Sequence, residues 1–185
     1  VTLVPGNHDV YVASRWGQGL GCWGAYIASD GAPPAVGFEA FPTLRRRGPV
    51  ALVGLNSGVP KPPFVATGTL GDAQIAAAEK MLVELGREGL CRVVLIHHPP
   101  LTTEKRFKRL TDAAAFQAMI RRVGCEIVLH GHNHRSEVAR IAGPPGSRTE
   151  AVPVVGVTSA SAAPESKYGR ARYHLIGIEA QGGGW

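Results

Sequence analysis

Short apolar runs recur along this chain and constrain its fold more than any other feature of the sequence. They are Val1 to Val4, Val50 to Leu55, Val93 to Ile96, Ile127 to Leu129, Val152 to Val157 and Tyr173 to Ile178. Several of them are continuous rather than alternating, which predicts strands covered on both faces of a sheet. The chain must therefore supply further layers to cover that sheet.

Two helical patterns lie between these runs. The first extends from Asp72 to about Leu85, with Asp72 as the predicted N-cap. The second begins at residues 111–112 and ends at Gly124. The order strand, helix, strand, helix, strand is typical of an α/β fold. The last two apolar runs have no helix between them, so we expect antiparallel strands there.

We expect irregular structure in the remaining segments. Residues 17–42 are rich in glycine and aromatic residues and have no clear period, which indicates a long loop or a short irregular helix. The basic stretches Arg45–Arg47 and Lys105–Arg109 are interpreted as solvated loops. We expect residues 182–185 to be a disordered tail, so the predicted domain covers residues 1–181.

Composition narrows the class of protein. The 185 residues are 44% hydrophobic, which suits one domain with a substantial core. No apolar stretch approaches the roughly 20 residues that cross a bilayer, so no membrane partner is expected. The net charge is +6, and the excess basic residues are scattered along the chain. This distribution makes a nucleic-acid partner unlikely, and the mild positive charge suits an anionic small molecule better. Three widely spaced cysteines indicate neither a disulfide framework nor a zinc ribbon, and favour the cytoplasm.

Six of the seven histidines fall into three clusters, each directly after an apolar run. These are His8, then His97 and His98, then His130, His132 and His134. Ligands bind beyond the carboxyl ends of strands in open α/β sheets, so three strand ends can converge on one spot. The pattern favours a metal site over a chance cluster of surface histidines. His174 stands apart and is interpreted as structural.

The spacing within each cluster separates ligands from supporting residues. His132 and His134 are two residues apart, so an extended backbone would send both side chains to one side, and Gly131 permits a tight turn before them. Consecutive strand residues point oppositely, so one of His97 and His98 is expected to pack or to hydrogen-bond. His130 is also open to a packing or hydrogen-bonding role instead of metal binding, because it is close to the buried strand.

The opening segment carries groups that suit a metal-assisted reaction. Asn7 offers an amide oxygen, a hard ligand for a divalent ion. His8 can carry a proton, and Asp9 can accept a hydrogen bond from it and hold its orientation. Gly6 lets the backbone turn sharply.

These motifs, taken in order, resemble the calcineurin-like metallophosphoesterase superfamily, in its bacterial branch that includes cyclic-nucleotide phosphodiesterases. The matching segments are Gly6-Asn7-His8-Asp9, His97 in "IHHPP", and Gly131-His132-Asn133-His134. The resemblance implies that residues 1–181 form the carboxyl-terminal part of a four-layer α/β/β/α sandwich. It also implies a hydrolase that cleaves small-molecule phosphoesters, nucleotides among them, with a metal-activated hydroxide.

The same resemblance assigns roles to single residues. Asn7, His97 and His132 would bind one divalent metal and His134 a second, the pair being manganese, iron or zinc. His8 would contact the scissile phosphate and protonate the leaving oxygen, with support from Asp9. Independently of the resemblance, we expect the segment 17–42 or the loop Lys105–Arg109 to line the entrance, and Arg106 and Arg109 to face bulk water.

Two motifs of that family are absent from this sequence. The family's Asp-x-His and Gly-Asp motifs supply most ligands of the first metal and the bridging carboxylate. The four aspartates here are Asp9, Asp30, Asp72 and Asp112, and none stands in either motif. We therefore expect the carboxyl-terminal portion of a longer enzyme. The alternatives are a non-catalytic remnant that binds at most one metal weakly and, behind it, a nucleic-acid-binding module.

Overall fold

Six strands form one mixed sheet in the computed structural model, which describes residues 1–10, 18–34, 37–101, 106–167, 169–182 and 184–185. The strands are β1 (Thr43–Arg47), β2 (Val50–Gly54), β3 (Cys91–Leu95), β4 (Ile127–His130), β5 (Glu137–Ala142) and β6 (Ala151–Gly156), in the order β1-β2-β3-β4-β6-β5. The four inner strands are parallel, and β1 and β5 are antiparallel edge strands. The helices are α1 (Gly24–Ile27), α2 (Asp72–Arg87) and α3 (Ala113–Val123), with 3-10 turns at Asn7–Val10, Leu20–Trp23 and Phe38–Ala40. The fold is mixed α/β.

The inner strands and both long helices confirm the predicted pattern to within two residues. Helix α2 begins at Asp72, but Gly71 occupies its N-cap position and the predicted cap by Asp72 is wrong. Helix α3 ends before Gly124, whose φ of 67° is open to glycine and costly for other residues. Short 3-10 and helical turns occupy the described part of segment 17–42, as predicted.

Both edge strands were missed by the sequence patterns. The stretch Arg45–Arg47 lies in β1 and not in a loop, because its backbone pairs with Val50 to Leu52 of β2. Arg46 pairs with Glu88 and Arg47 with Asp30. Strand β5 has an exposed, charged outer surface, so its sequence lacks an apolar run.

Two predicted strands are wrong. Val1 to Val4 is irregular, and its contacts include a hydrogen bond from Leu3 N to Tyr26 O at 3.1 Å. The described residues of Tyr173 to Ile178 are also irregular, with Leu175 94% exposed. The antiparallel partner of β6 is β5. A strand requires a neighbouring edge as well as an apolar sequence, and here β5 occupies that edge.

The main core lies between the sheet and helices α2 and α3. Its members from the sheet alternate along each strand, so Val53, Val94, Val128 and Val154 form one row across the sheet. The helices contribute fully buried side chains such as Leu82, Phe116 and Met119. A smaller cluster around Ile27 and Phe41 includes Leu3.

Cys91 and Cys125 are buried, as predicted, Cys125 belongs to this core, and all three cysteines are free. Burial raises the pKa of the Cys91 thiol to about 11, so it stays protonated at neutral pH. Among the tail residues, for which the sequence predicts disorder, Trp185 Nε1 donates to Gly89 O at 2.8 Å. Within the described residues, no helix combines the length and apolar character needed to cross a membrane.

Candidate metal centre

Two parallel strands bring distant histidines to one edge of the sheet. Strands β3 and β4 end side by side, and their hydrogen bonding continues past the last paired residues. Ile96 N donates to Leu129 O and Gly131 N donates to His97 O, each at 3.1 Å. This extended register places His97 beside the turn that carries His132.

The opening segment contributes a third donor to the same point. His97 Nε2 lies 3.1 Å and His132 Nδ1 lies 3.2 Å from the side-chain oxygen of Asn7, which is buried. The two ring nitrogens lie 3.3 Å apart. Three donor atoms from segments far apart in sequence therefore form a compact triangle, which we call the Asn7 triad (Asn7, His97, His132).

Protonation of His97 is unfavourable, so its imidazole keeps a lone pair. Burial, followed by the positive potential of His132 and of three further histidines, lowers the pKa of His97 to about 3. At neutral pH the ring is uncharged, as a metal ligand must be. A positively charged pair of imidazoles at this distance would be strongly repulsive.

The donor set fits a divalent ion. Metal–nitrogen and metal–oxygen bonds of about 2.0–2.2 Å put adjacent ligand atoms about 3.0–3.5 Å apart in octahedral or tetrahedral geometry. The three spacings of 3.1–3.3 Å in the Asn7 triad fall in that range. Nitrogen and amide-oxygen donors suit several first-row ions, manganese, iron and zinc among them.

Gly6 is needed because the His97 ring lies directly over it. A Cβ built on Gly6 would stand 2.6 Å from Cε1 and Nδ1 of that ring. The chain turns at Gly6 as predicted, since Asp9 N donates to Gly6 O at 3.2 Å, but the φ of Gly6 is not positive. Close approach of a side chain, and not backbone freedom, explains this glycine.

We expect the substitution Gly6→Ala to weaken Mn²⁺ binding by about 10-fold, in the range seen when a ligand loses its support. The new methyl group would displace the His97 ring from the Asn7 triad. Isothermal titration calorimetry measures the change. Gly177→Ala is the control, because nothing lies within 4 Å of its added Cβ. Equal Mn²⁺ affinity in the two variants would contradict the proposed position of His97.

His98 is a supporting residue and not a fourth donor. Its ring is fully buried, and Nδ1 lies 2.8 Å from Ser57 Oγ while Nε2 donates to Ala66 O at 3.1 Å. Both nitrogens are thereby used, although the ring centroid lies 4.4 Å from that of His132. Burial also lowers the pKa of His98 to about 3. The expected division of roles between His97 and His98 agrees with this arrangement.

The turn after β4 differs from the expected one. His132 and His134 themselves adopt left-handed φ values of 65° and 54°, and Gly131 does not. The backbone there is not extended, so strand alternation does not set the directions of these two side chains. Both side chains nonetheless line one cavity. Backbone strain of this kind persists where the surroundings hold it, and it is frequent at functional sites.

Neighbouring side chains hold this strained turn. Asn133 Nδ2 donates to Glu137 Oε1 at 3.3 Å, and Gly131 O accepts a hydrogen bond from His130 Nδ1 at 3.1 Å. His130 is only 6% exposed, and burial lowers its pKa. Its expected structural role agrees with these contacts.

A cavity of about 480 Å³ opens over the Asn7 triad, and we call it the histidine cavity. Its lining includes the triad with His8, His134, Asn133, Phe64, Ala66, Phe107, Lys108 and Arg135. Asp9 has a different partner from the expected one: its Oδ2 accepts a hydrogen bond from Gly6 N at 2.8 Å. Asp9 therefore braces the segment that carries Asn7.

Sequence reasoning missed part of this lining. Phe64 and Arg135 belong to no recognisable motif, and the sequence predicts Phe107 and Lys108 only as part of a loop near the entrance. Arg106 and Arg109 are exposed, as expected. The described residues of segment 17–42 do not line the histidine cavity, so that suggestion was wrong for residues 18–34 and 37–42.

Comparison with known proteins assigns this chain to no family. Neither the protein-family models nor the curated proteins include a match to this sequence.

Proposed function

We propose that this protein is a metal-dependent phosphoester hydrolase of the calcineurin-like metallophosphoesterase type. The observation that carries the proposal is the Asn7 triad, whose donors lie 3.1–3.3 Å apart at the carboxyl edge of the parallel strands. A polar cavity with two cationic side chains, Lys108 and Arg135, adjoins it and suits an anionic substrate.

The chain's own donors would hold one divalent ion, through Asn7 Oδ1, His97 Nε2 and His132 Nδ1. When bound, such an ion acts as a Lewis acid and lowers the pKa of water toward about 7. A second ion would use His134. Among the described residues, the one cluster of three potential metal-binding histidine, cysteine or acidic side chains is His97, His98 and His132, so a second ion needs further ligands.

Other residues would act on the substrate. His8 is exposed in the histidine cavity, where it can donate a proton to the leaving oxygen. Lys108 and Arg135 would offset the charge of the phosphoryl group. Asp9 would position this segment through its bond to Gly6 N.

The proposal also includes a four-layer sandwich and a cytoplasmic location. Leu95, Leu129, Val155 and Val138 align across the sheet on the face opposite α2 and α3. This apolar row, in which Val138 is 67% exposed, supports a second layer and hence a four-layer α/β/β/α sandwich. The free thiols support a reducing, cytoplasmic location.

The test compares two substrates that differ in their need for a proton donor. We expect Mn²⁺-dependent hydrolysis of two substrates. 4-Nitrophenyl phosphate releases 4-nitrophenolate, a good leaving group, and phenyl phosphate releases phenolate, a poorer one. The substitution His8→Ala should lower turnover of phenyl phosphate by about 10²- to 10⁴-fold and that of 4-nitrophenyl phosphate by less. Mn²⁺ affinity should be unchanged. His174→Ala, an exposed histidine outside the histidine cavity, is the control.

Different failures of this experiment have different meanings. Equal losses on both substrates would contradict the proton-donating role of His8. Stoichiometric Mn²⁺ binding without turnover of either substrate would favour the alternative, a non-catalytic metal-binding remnant. Turnover that does not depend on a divalent metal would contradict the proposed function itself.

A further inference from the structure

Two exposed phenylalanines stand in the wall of the histidine cavity. Phe64 is 91% exposed and Phe107 is 45% exposed, and both rings line the space above the Asn7 triad. Exposed aromatic rings cost free energy in water unless something covers them. Because both rings lie beside a polar cavity with cationic side chains, a bound ligand would cover them.

The backbone at Phe64 is strained. Its φ of 67° lies in the left-handed region, which bulky residues rarely adopt. Glycine or asparagine would occupy that conformation at lower cost than an aromatic residue. Strain of this kind at a cavity wall points to function.

The segments that carry the two rings are fixed to each other and to the metal centre. Ala66 N donates to Phe107 O at 2.8 Å, and Gly68 N donates to Arg109 O at 3.1 Å. Ala66 O accepts the hydrogen bond from the buried His98, the neighbour of His97. These hydrogen bonds link the wall of the cavity to the segment that carries His97.

The histidine cavity is also larger than a phosphoryl group requires. At about 480 Å³ it is in the range of pockets that hold whole small molecules. Lys108, adjacent in sequence to Phe107, and Arg135 bring positive charge to the same space. One end of a ligand would thus be anionic and the other a flat apolar ring.

We propose that Phe64 and Phe107 form a ring-binding subsite, which selects phosphoesters and phosphonates whose organic group is aromatic. The aromatic faces of a ligand and the two side chains would stack in offset or edge-to-face geometry. For the reaction, this inference rests on the proposed function. For binding, it depends only on the phenylalanines and the cationic side chains of the chain itself.

The test is a pair of phosphonates of matched size and charge. Phenylphosphonate carries an aromatic ring and cyclohexylphosphonate a saturated one, and neither can be hydrolysed as an ester. Isothermal titration calorimetry, with and without Mn²⁺, should show that phenylphosphonate binds about 3- to 10-fold more tightly. The double variant Phe64→Leu, Phe107→Leu keeps apolar bulk and should lose this preference.

Matched variants separate the subsite from a general effect on folding. Phe38→Leu removes another partly exposed ring, which lines a different cavity, and should keep the preference. Phe64→Tyr keeps an aromatic face and should keep it too. Thermal melts of all variants establish that they fold.

The outcomes test the subsite separately from the proposed function. Equal affinity of wild type for the two phosphonates would overturn the subsite, as would an unchanged preference in the folded double variant. Absence of binding by both phosphonates, with or without Mn²⁺, would also overturn it. Failure of Mn²⁺ to bind would count against the proposed function, while the metal-free comparison would still decide the subsite.

Discussion

The substitution His97→Ala is expected to weaken Mn²⁺ binding by more than about 100-fold, since removal of mere support for a ligand already costs about 10- to 100-fold. His97 Nε2 lies 3.1 Å from Asn7 Oδ1 and 3.3 Å from His132 Nδ1, so it is central to the Asn7 triad. Its loss leaves an amide oxygen and one imidazole, too few donors to displace several waters from a hydrated ion. Calorimetry on the folded variant measures the effect.

The histidine His174 supplies the control for this prediction. It is exposed, and its Nε2 lies 3.4 Å from Ser136 Oγ, outside the histidine cavity. His174→Ala should bind Mn²⁺ as wild type does. If His97→Ala also retained wild-type affinity, the Asn7 triad would be a hydrogen-bonded network rather than a metal centre, and the proposed function would lose its basis.

Breaking the buried ion pair of Arg92 and Glu126 is expected to destabilise the fold by about 3 kcal/mol, the lower end of the range for buried pairs. The side chains are 9% and 17% exposed, and two hydrogen bonds of 3.0 and 2.9 Å join them. Arg92 also donates to the carbonyls of Leu82 in α2 and Val123 in α3. Glu126→Gln would leave this buried guanidinium without its counter-charge. Urea unfolding measures the loss.

An exposed pair gives the comparison for Glu126→Gln. Arg122 and Glu79 join α3 to α2 at 2.7 Å, but their side chains are 55% and 28% exposed. Because water screens such charges, Glu79→Gln should cost only about 0–1 kcal/mol. A loss in Glu126→Gln no larger than that in Glu79→Gln would show that burial does not strengthen the inner pair.

The elements that could be predicted are those whose signal is local. Continuous apolar runs indicated the inner strands because both of their faces are covered, and helical spacing indicated α2 and α3. Edge strands β1 and β5 escaped notice because one edge and much of one face meet solvent, which leaves charged residues in them. The apolar runs at Val1 and Tyr173 predicted strands that do not form. Apolar residues alone do not supply a neighbouring strand with which to pair.

The candidate site divides in the same way. Asn7, His97 and His132 could be named from their positions after apolar runs, and the structure brings them together. The ring pair Phe64 and Phe107 could not be named, because the hydrogen bonds that join their segments link residues about 40 positions apart. The role of Gly6 was also hidden, since it depends on a ring more than 90 residues away.

Periodicity and side-chain chemistry within short windows were enough to predict the α/β class, the two long helices and the candidate donor residues. The folded chain was needed to show that His97 contacts Asn7, that His98 contacts Ser57, and which residues line the histidine cavity. The physical reason is that donor distances and burial arise from strand register and chain packing, which involve pairs of residues remote in sequence.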